Sequence, residues 1–395
     1  MHVAAVIANF DPESGGAYTF EGEILSSLKA AAERSNHRFT VLCAEQALQP
    51  VSNALRGSRL NVSAVPRRAG RLERVALREL EVVRAHWRRP SDIDRVAARN
   101  GIEFIWFLGA LPDRTDLPYM TVVWDVQHRA TPWFPELSAK GTWDTREAYH
   151  RWFLQRATRV VTGTQVGRDQ LAHFYQIDPS NILILPHPTP SIVADEANAS
   201  GGSVAARFGL PQPFVLYPAQ FWPHKNHANL LMAVASLARR GHRIGLALPG
   251  SDKGNRTYIE ALAAREGIQD LVRFLGFVDR SDLVALYREA AALAYVSWCG
   301  PENFPPLEAF ALGCPVVASR IPGSDEQLGE AAQFCQPGDP EDIARAILDV
   351  VQDADLRRRM IADGQRRAMR FTPADYVQGV LAFLDEFAAV RRCWP

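Results

Sequence analysis

The run from Cys299 to Ser319, C-G-P-E-N-F-P-P-L-E-A-F-A-L-G-C-P-V-V-A-S, constrains this chain more than any other stretch. An apolar segment, Ala290 to Val296, leads into it and reads as a short buried strand, and Val316-Val317-Ala318 begins another. Between them Pro305 and Pro306 preset the first turn of a short helix over Leu307 to Leu312, which Gly313 and Pro315 end. Strand, polar loop, helix and strand make a βαβ unit, and the mouth of such a helix is where α/β sheets take ligands. The two prolines carry no N–H. The donors expected at that mouth are therefore the amides of Asn303, Phe304, Leu307 and Glu308, with the Glu308 carboxylate beside them. Amides at the positive end of a helix suit a phosphate, and an adjacent carboxylate suits ribose or sugar hydroxyls. For this stretch in isolation, a plain helix cap with a solvated glutamate is the alternative.

The rest of the chain repeats the same grammar twice. A length of 395 residues exceeds one ordinary core and predicts two domains of roughly 150–200 residues. Residues 2–9 read as a strand, followed by the turn F-D-P-E-S-G-G and a helical pattern from Tyr18 to Arg34. In that turn Gly15-Gly16 lets backbone approach a ligand closely, a plain tight turn being the alternative. Further strands are expected at 37–43, 102–107, 119–124, 158–163 and 181–185. The segment 187–213, rich in Pro, Ser, Ala and Gly, reads as a junction. The pattern then restarts with strands at 214–218, 243–248, 271–275 and 292–296 alternating with helices. We expect a first domain over 1–195, a second over 196–375, and a terminal helix from 376 to 395.

Chemistry-bearing residues fall at the predicted strand ends. Lys225 sits at the mouth of the helix after strand 214–218, where an ammonium can neutralise a departing diphosphate. The chain has four lysines (Lys29, Lys140, Lys225 and Lys253) against many arginines. Gly250 follows Pro249 at the next strand end, and L-G-F-V-D at 275–279 holds Phe277 and Val278 at the one after. In the first half, W-D-V-Q-H places Asp125 and His128 just past strand 119–124, where an imidazole can meet substrate hydroxyls or a leaving group.

Several function classes are disfavoured. A net charge of zero gives no general attraction to nucleic acid. Five cysteines, scattered and without C-x-x-C spacing, argue against a disulfide framework or structural zinc and fit a reducing compartment. No basic leader precedes the first strand and no apolar run reaches membrane-spanning length, so a cytoplasmic protein is expected. The arginine-rich segment 67–89 reads either as a basic amphipathic face for a peripheral membrane contact or as a solvated surface helix. Asp92-Ile93-Asp94 has the form of a metal-chelating D-x-D, but it follows Pro90-Ser91 at a helix start, where caps belong.

Taken together, these residues resemble family 4 of the retaining glycosyltransferases, which have the GT-B fold. The resemblance covers nearly the whole chain and is strongest over 214–340: Lys225, Pro249-Gly250, L-G-F-V, the P-L-E-A-F-A-L-G-C-P-V-V-A-S run and R-I-P-G-S-D-E at 320–326. It implies an α/β protein of two Rossmann-like doubly wound domains facing across a cleft. The donor, a nucleoside diphosphate sugar, would lie on the second domain, and a carbohydrate or lipid-linked saccharide acceptor would meet it from the first. Glu308 would hold the ribose, Lys225 the diphosphate and the Phe277–Val278 backbone the base, with His128, Asp125, Gly15 and Gly16 acting from the other side. The terminal helix would cross back onto the first domain. This chain departs from the family pattern at three places: Gly300 stands where a first glutamate is usual, with Glu302 close by but out of register, Gln220 stands for a basic residue, and Asn226 for a glycine.

The implied reaction is transfer of a hexose to an acceptor hydroxyl with retention, without a metal or other cofactor, in polysaccharide or glycolipid synthesis. A mannosyl donor on GDP and a glucose-type donor on UDP both fit. Two alternatives remain: a nucleotide-sugar 2-epimerase on the same fold, and a degenerate transferase that binds nucleotide sugar without turning it over. The departures at Gly300 and Gln220 motivate the second.

Overall fold

A computed structural model describes residues 1–7, 10–11, 15–66, 90–109, 114–191 and 202–394. The basic 67–89 segment, and with it the expected membrane face, lies outside these residues.

Two parallel sheets organise the chain. The first contains β1 (His2–Val6), β2 (Arg38–Ala44), β3 (Asn61–Val65), β4 (Phe104–Phe107), β5 (Tyr119–Val122), β6 (Arg159–Thr162) and β7 (Ile182–Ile184), in the order 3-2-1-4-5-6-7. The second contains β8 (Phe214–Leu216), β9 (Gly245–Pro249), β10 (Val272–Gly276), β11 (Ala292–Tyr295), β12 (Val316–Ser319) and β13 (Ala332–Cys335), in the order 10-9-8-11-12-13. Helices cover both faces, which is why β4 and β11 are unbroken apolar runs and they and β12 are buried along their whole length. These are two Rossmann-like doubly wound domains. In each sheet the order reverses once, between β1 and β4 and between β8 and β11. A crevice opens at such a reversal, outside the carboxyl ends of the strands. The Gly15-Gly16 turn follows β1, Lys225 follows β8 and the 299–308 loop follows β11. The fold thus brings all three to the two switch points.

Sequence periodicity missed β3 and β13. Both lie at sheet edges and are mostly half-buried, so N-V-S-A-V and A-Q-F-C lack the apolar run that marks a central strand. The terminal helix, Pro373–Arg391, starts three residues earlier than its apolar pattern suggested, because Thr372 and Asp375 form a capping box with Pro373 in the first turn. It buries Tyr376, Val380, Leu384 and Phe387 in the core of the first domain, alongside the helix Gly16–Ala32. Asp92 and Asp94 open the helix Asp92–Asn100: Ser91 and Asp94 cap each other's backbone, and Asp94 also accepts from Thr115 Oγ1 at 2.7 Å. This is capping geometry, with both functions of Asp94 engaged locally.

One core residue crosses between domains. Phe304 belongs by sequence to the second domain but is buried in the apolar cluster of the first, stacked on His187 at 4.9 Å. A Cβ on Gly16 would meet its ring at 3.4 Å. The Gly-Gly turn was expected to admit a ligand; at Gly16 the close approach is made by Phe304.

Candidate active site

A cleft of about 630 Å³ separates the carboxyl ends of the two sheets. The second domain contributes Gln220, Trp222, His224, Lys225, Tyr295 and Glu308 to its wall. Lys225 closes a short turn, Pro223–Lys225, after which Asn226 takes a left-handed conformation (φ 61°). Two carbonyls, Val296 O and Pro337 O, hold the Asn226 amide at 2.9 and 2.7 Å, and the Tyr217 hydroxyl donates to Lys225 O at 2.6 Å. Asparagine serves at this position because it tolerates the left-handed conformation and its amide is bonded there. Lys225 Nζ donates to the Tyr295 hydroxyl at 2.9 Å, which donates in turn to Asn303 Oδ1 at 2.8 Å. Burial by itself would lower the Lys225 ammonium, but Tyr295, Cys299 and Asp125 more than offset it and raise its pKa. It stays a cation.

Glu308 accepts from the Tyr287 hydroxyl at 2.7 Å, and burial raises its carboxyl above the usual range. Gln220 takes its orientation from Trp222, whose indole N–H donates to Gln220 Oε1 at 2.9 Å. That leaves the amide nitrogen facing the first domain, where a Cβ on Gly15 would lie 3.9 Å from it.

The first domain contributes Gly15, Gly16, Thr19, Trp124, Asp125, Gln127, Glu136, Arg146 and His187 to the opposite wall. Asp125 Oδ1 accepts from the Gln127 amide at 2.9 Å and lies 3.6 Å from Arg146 Nη1. Four residues of the cleft wall (Trp124, Glu136, Arg146 and His187) hold a buried side-chain N or O atom with no hydrogen-bond partner among the described residues: Trp124 Nε1, Glu136 Oε2, Arg146 Nη1 and His187 Nδ1. Such groups each cost about 1–3 kcal/mol when left unpaired, and their concentration in one place marks a surface built around something else.

The two halves of the chain match separate models of known families. Residues 22–188 match the glycosyl transferase 4-like domain, and residues 204–367 match the glycosyl transferases group 1 model. The first half thus resembles a glycosyl transferase 4-like domain and the second a group 1 glycosyl transferase domain. The fold of the chain is GT-B. Among curated relatives, D-inositol 3-phosphate glycosyltransferase of Streptomyces griseus is 31% identical over 237 residues, covering 54% of this chain and 50% of that protein. O-antigen chain mannosyltransferase B of Escherichia coli is 27% identical over 221 residues, 55% of this chain and 58% of that one. The chain thus spans about half the length of the curated relatives it matches. Among solved structures, sucrose-phosphate synthase of Thermosynechococcus elongatus superposes with a TM-score of 0.74 at 20% identity, covering 98% of this chain and 100% of that one. Anabaena HepE in complex with UDP-glucose gives 0.70 at 16%, covering 98% and 100%.

In this chain the cleft gathers nine of the residues singled out from sequence: Gly15, Gly16, Asp125, Gln220, Lys225, Glu302, Asn303, Phe304 and Glu308. Five others lie elsewhere. His128 is fully buried behind the cleft wall: its Nε2 meets the Tyr175 hydroxyl at 2.8 Å and its ring stacks on His150 at 5.0 Å. Burial, with the charge of Arg146, holds it down to about 4, so it is neutral and cannot reach a substrate from that position. Gly250 packs under the Ala219–Gln220 backbone, where any Cβ would collide with Ala219 O, and so serves packing. Phe277 is 74% exposed and, like Val278, stands outside the cleft wall. Leu307 belongs to the core of the second domain.

At the helix mouth the arrangement differs from the expected row of free amides. The Asn303 N–H donates to Gln327 Oε1 at 3.0 Å, which withdraws it from any ligand. Glu302 turns into the domain boundary: it accepts the His187 N–H at 2.6 Å and lies so close to Gly163 that a Cβ there could not fit. Burial, relieved in part by that N–H, pushes its carboxyl up to about 8. It braces the domains. Sequence reading missed Tyr295, Glu136, Arg146 and His187. Tyr295 ends a strand at a switch point, and Glu136 follows Pro135 at a helix start, so both carried a positional signal. Arg146 was indistinguishable from its many surface counterparts.

Proposed function

We propose that this protein transfers a hexose from a nucleoside diphosphate sugar to an acceptor hydroxyl with retention of configuration and without a bound metal. The observation that carries this reading is the Lys225–Tyr295–Asn303 relay at the β8/β11 switch point, on the same cleft wall as Glu308. A permanent ammonium there offsets the charge that grows on the diphosphate as the C1–O bond breaks. Glu308, with one oxygen taken up by Tyr287, keeps the other for the ribose hydroxyls. The acceptor oxygen bonds to C1 on the face the diphosphate leaves, and its proton passes to a leaving phosphate oxygen. No carboxylate nucleophile is required by this scheme. Asp125 and Arg146 on the opposite wall would hold the acceptor, and the guanidinium suits one that carries a phosphate or carboxylate. The names of the relatives support a polyol or saccharide acceptor, and the HepE complex supports a nucleotide-sugar donor. Domain closure over the cleft would keep water from the donor.

The test is thermal stabilisation of the protein by UDP, GDP and their hexose conjugates in EDTA, followed by product analysis with candidate acceptors. A ligand at a hundred times its Kd adds about 2.7 kcal/mol, so selective stabilisation by one nucleotide supports the donor site. An α-linked product from an α-linked donor supports retention. Stabilisation that appears only with added divalent metal would overturn the metal-free reading. Binding of a nucleotide sugar with neither transfer nor hydrolysis would favour the non-catalytic alternative, and isomerised donor without acceptor the epimerase.

A further inference from the structure

The turn that carries Lys225 is gripped from both domains. From its own domain it is held by Tyr217, Asn226, the Ser297 hydroxyl and the Trp298 backbone, since His224 O accepts from Trp298 N at 2.8 Å and from Ser297 Oγ at 3.2 Å. From the first domain it is held by Glu136. One oxygen of that carboxylate, Oε1, accepts both the His224 backbone N–H at 2.9 Å and His224 Nδ1 at 2.5 Å. Both side chains are well covered, His224 being 15% and Glu136 6% exposed. Phe134, two residues before Glu136, packs edge-on against the same imidazole at 6.1 Å.

This contact differs in kind from the other bridges between the domains. Glu326 accepts from the Gln165 and Val166 amides at 2.6 and 3.0 Å, and Glu302 accepts from His187; both join surfaces away from the Lys225 turn. Glu136 alone, among the described residues, reaches from the first domain to hydrogen-bond the residue next to Lys225. Burial and the Lys225 charge pull His224 down to about 4, against the opposing pull of Glu136. A neutral imidazole carries one ring proton, and the short contact to the carboxylate places it on Nδ1. The contact is therefore available throughout the neutral range.

We propose that Glu136 is a positioning residue that fixes the Lys225 turn from across the cleft, so that the diphosphate-binding cation is in place when the domains are together. The inference rests on the donor-site reading above. A carboxylate oxygen holding two donors on one residue fixes both the backbone and the ring of His224, and the next Cα carries the ammonium. When the domains part, those two bonds break together and the turn keeps only the anchors of its own domain. Donor phosphate recognition and domain closure are linked by this geometry.

The experiment compares nucleotide binding by calorimetry in the wild-type protein and four variants, with UDP and GDP as probes and uridine and guanosine as their phosphate-free counterparts. Glu136→Ala is expected to weaken diphosphate binding about ten-fold, the scale of a hydrogen bond to a charged group, while leaving nucleoside binding as in the wild type. Glu136→Gln keeps an acceptor oxygen of the same reach and is expected to recover affinity to within about three-fold. Adding Glu136→Ala to Lys225→Ala should cost nothing further, because the first residue acts through the second. Equal weakening of nucleoside and diphosphate, additive losses in the double variant, or wild-type affinity in Glu136→Ala would each overturn the proposal. A wild-type protein that binds neither diphosphate overturns the donor site itself and takes this inference with it. Wild-type binding with an unaffected Glu136→Ala sinks the inference alone.

Discussion

The rings of Phe304 and His187 stack across the domain boundary at 4.9 Å and an interplanar angle of 24°, the first from the helix Phe304–Ala311 and the second from the loop after β7. Phe304 is 7% exposed although it sits in the wall of an open cleft. The boundary beside the site is thus a packed apolar contact, and it sets how far the two switch points stand apart.

Truncating that ring removes a core contact shared by both domains. Phe304→Ala should cost about 3 kcal/mol, in the range for buried phenylalanines, and should separate thermal unfolding into two transitions as the domains lose their common contact. Scanning calorimetry reads both effects. A single transition at the wild-type temperature would show that the boundary does not depend on this stack.

Lys225 is the cation at the second sheet's switch point, and its environment keeps it charged. Lys225→Ala should reduce turnover by roughly 10²-fold or more, as removal of a preorganised electrostatic stabiliser does, and should weaken diphosphate binding as well. Near-normal kcat with a raised donor KM would restrict its role to ground-state binding.

His128 provides a contrast. Its hydrogen bond to Tyr175 and the nearby Glu147, which is ion-paired to Arg129 and Arg151, make it part of the packing behind the cleft. His128→Ala should therefore lower the urea midpoint, by about 2 kcal/mol of stability, with little change in nucleoside diphosphate affinity. A normal midpoint combined with lost donor binding would return the imidazole to the cleft.

Glu302 makes the stability of the domain boundary fall with pH. Its folded pKa of about 8 exceeds the reference 4.5, so the folded protein binds more protons than the unfolded chain between those values. The stabilisation is complete below about pH 4.5 and is lost as pH rises through 8, at up to about 1.4 kcal/mol per pH unit. Glu302→Gln stays neutral and removes this slope. The difference in melting temperature between the two proteins, measured from pH 5 to 8.5, should widen steadily in favour of the glutamine at high pH. A constant difference would mean that Glu302 is ionised throughout.

Strand ends and helix mouths were legible because they are local. Val316 to Ser319 is buried on both faces, so its composition alone announces a central strand, and two prolines before Leu307 announce a helix start. The same logic placed Lys225, Glu308 and Gly15-Gly16 near a site, since glycine turns and first-turn residues follow strands in any doubly wound domain. The edge strands β3 and β13 escaped because their solvent-facing sides are polar.

What the sequence by itself determined is the α/β grammar, the two-domain organisation and the residues that could reach a switch point. Which of them do was decided by side-chain packing between distant segments. His128 and Glu136 both follow β5, eight residues apart, and sequence favoured the histidine. The fold buries His128 against Tyr175 and His150, and brings Glu136 to the Lys225 turn 88 residues further on. By sequence Glu302 stands close to the place of a usual first glutamate, but Gly163, from the other domain, leaves room for its carboxylate in the boundary. Local propensity says where a side chain leaves the backbone. Its environment, and so its charge, its partners and its role, depends on what the rest of the chain folds against it.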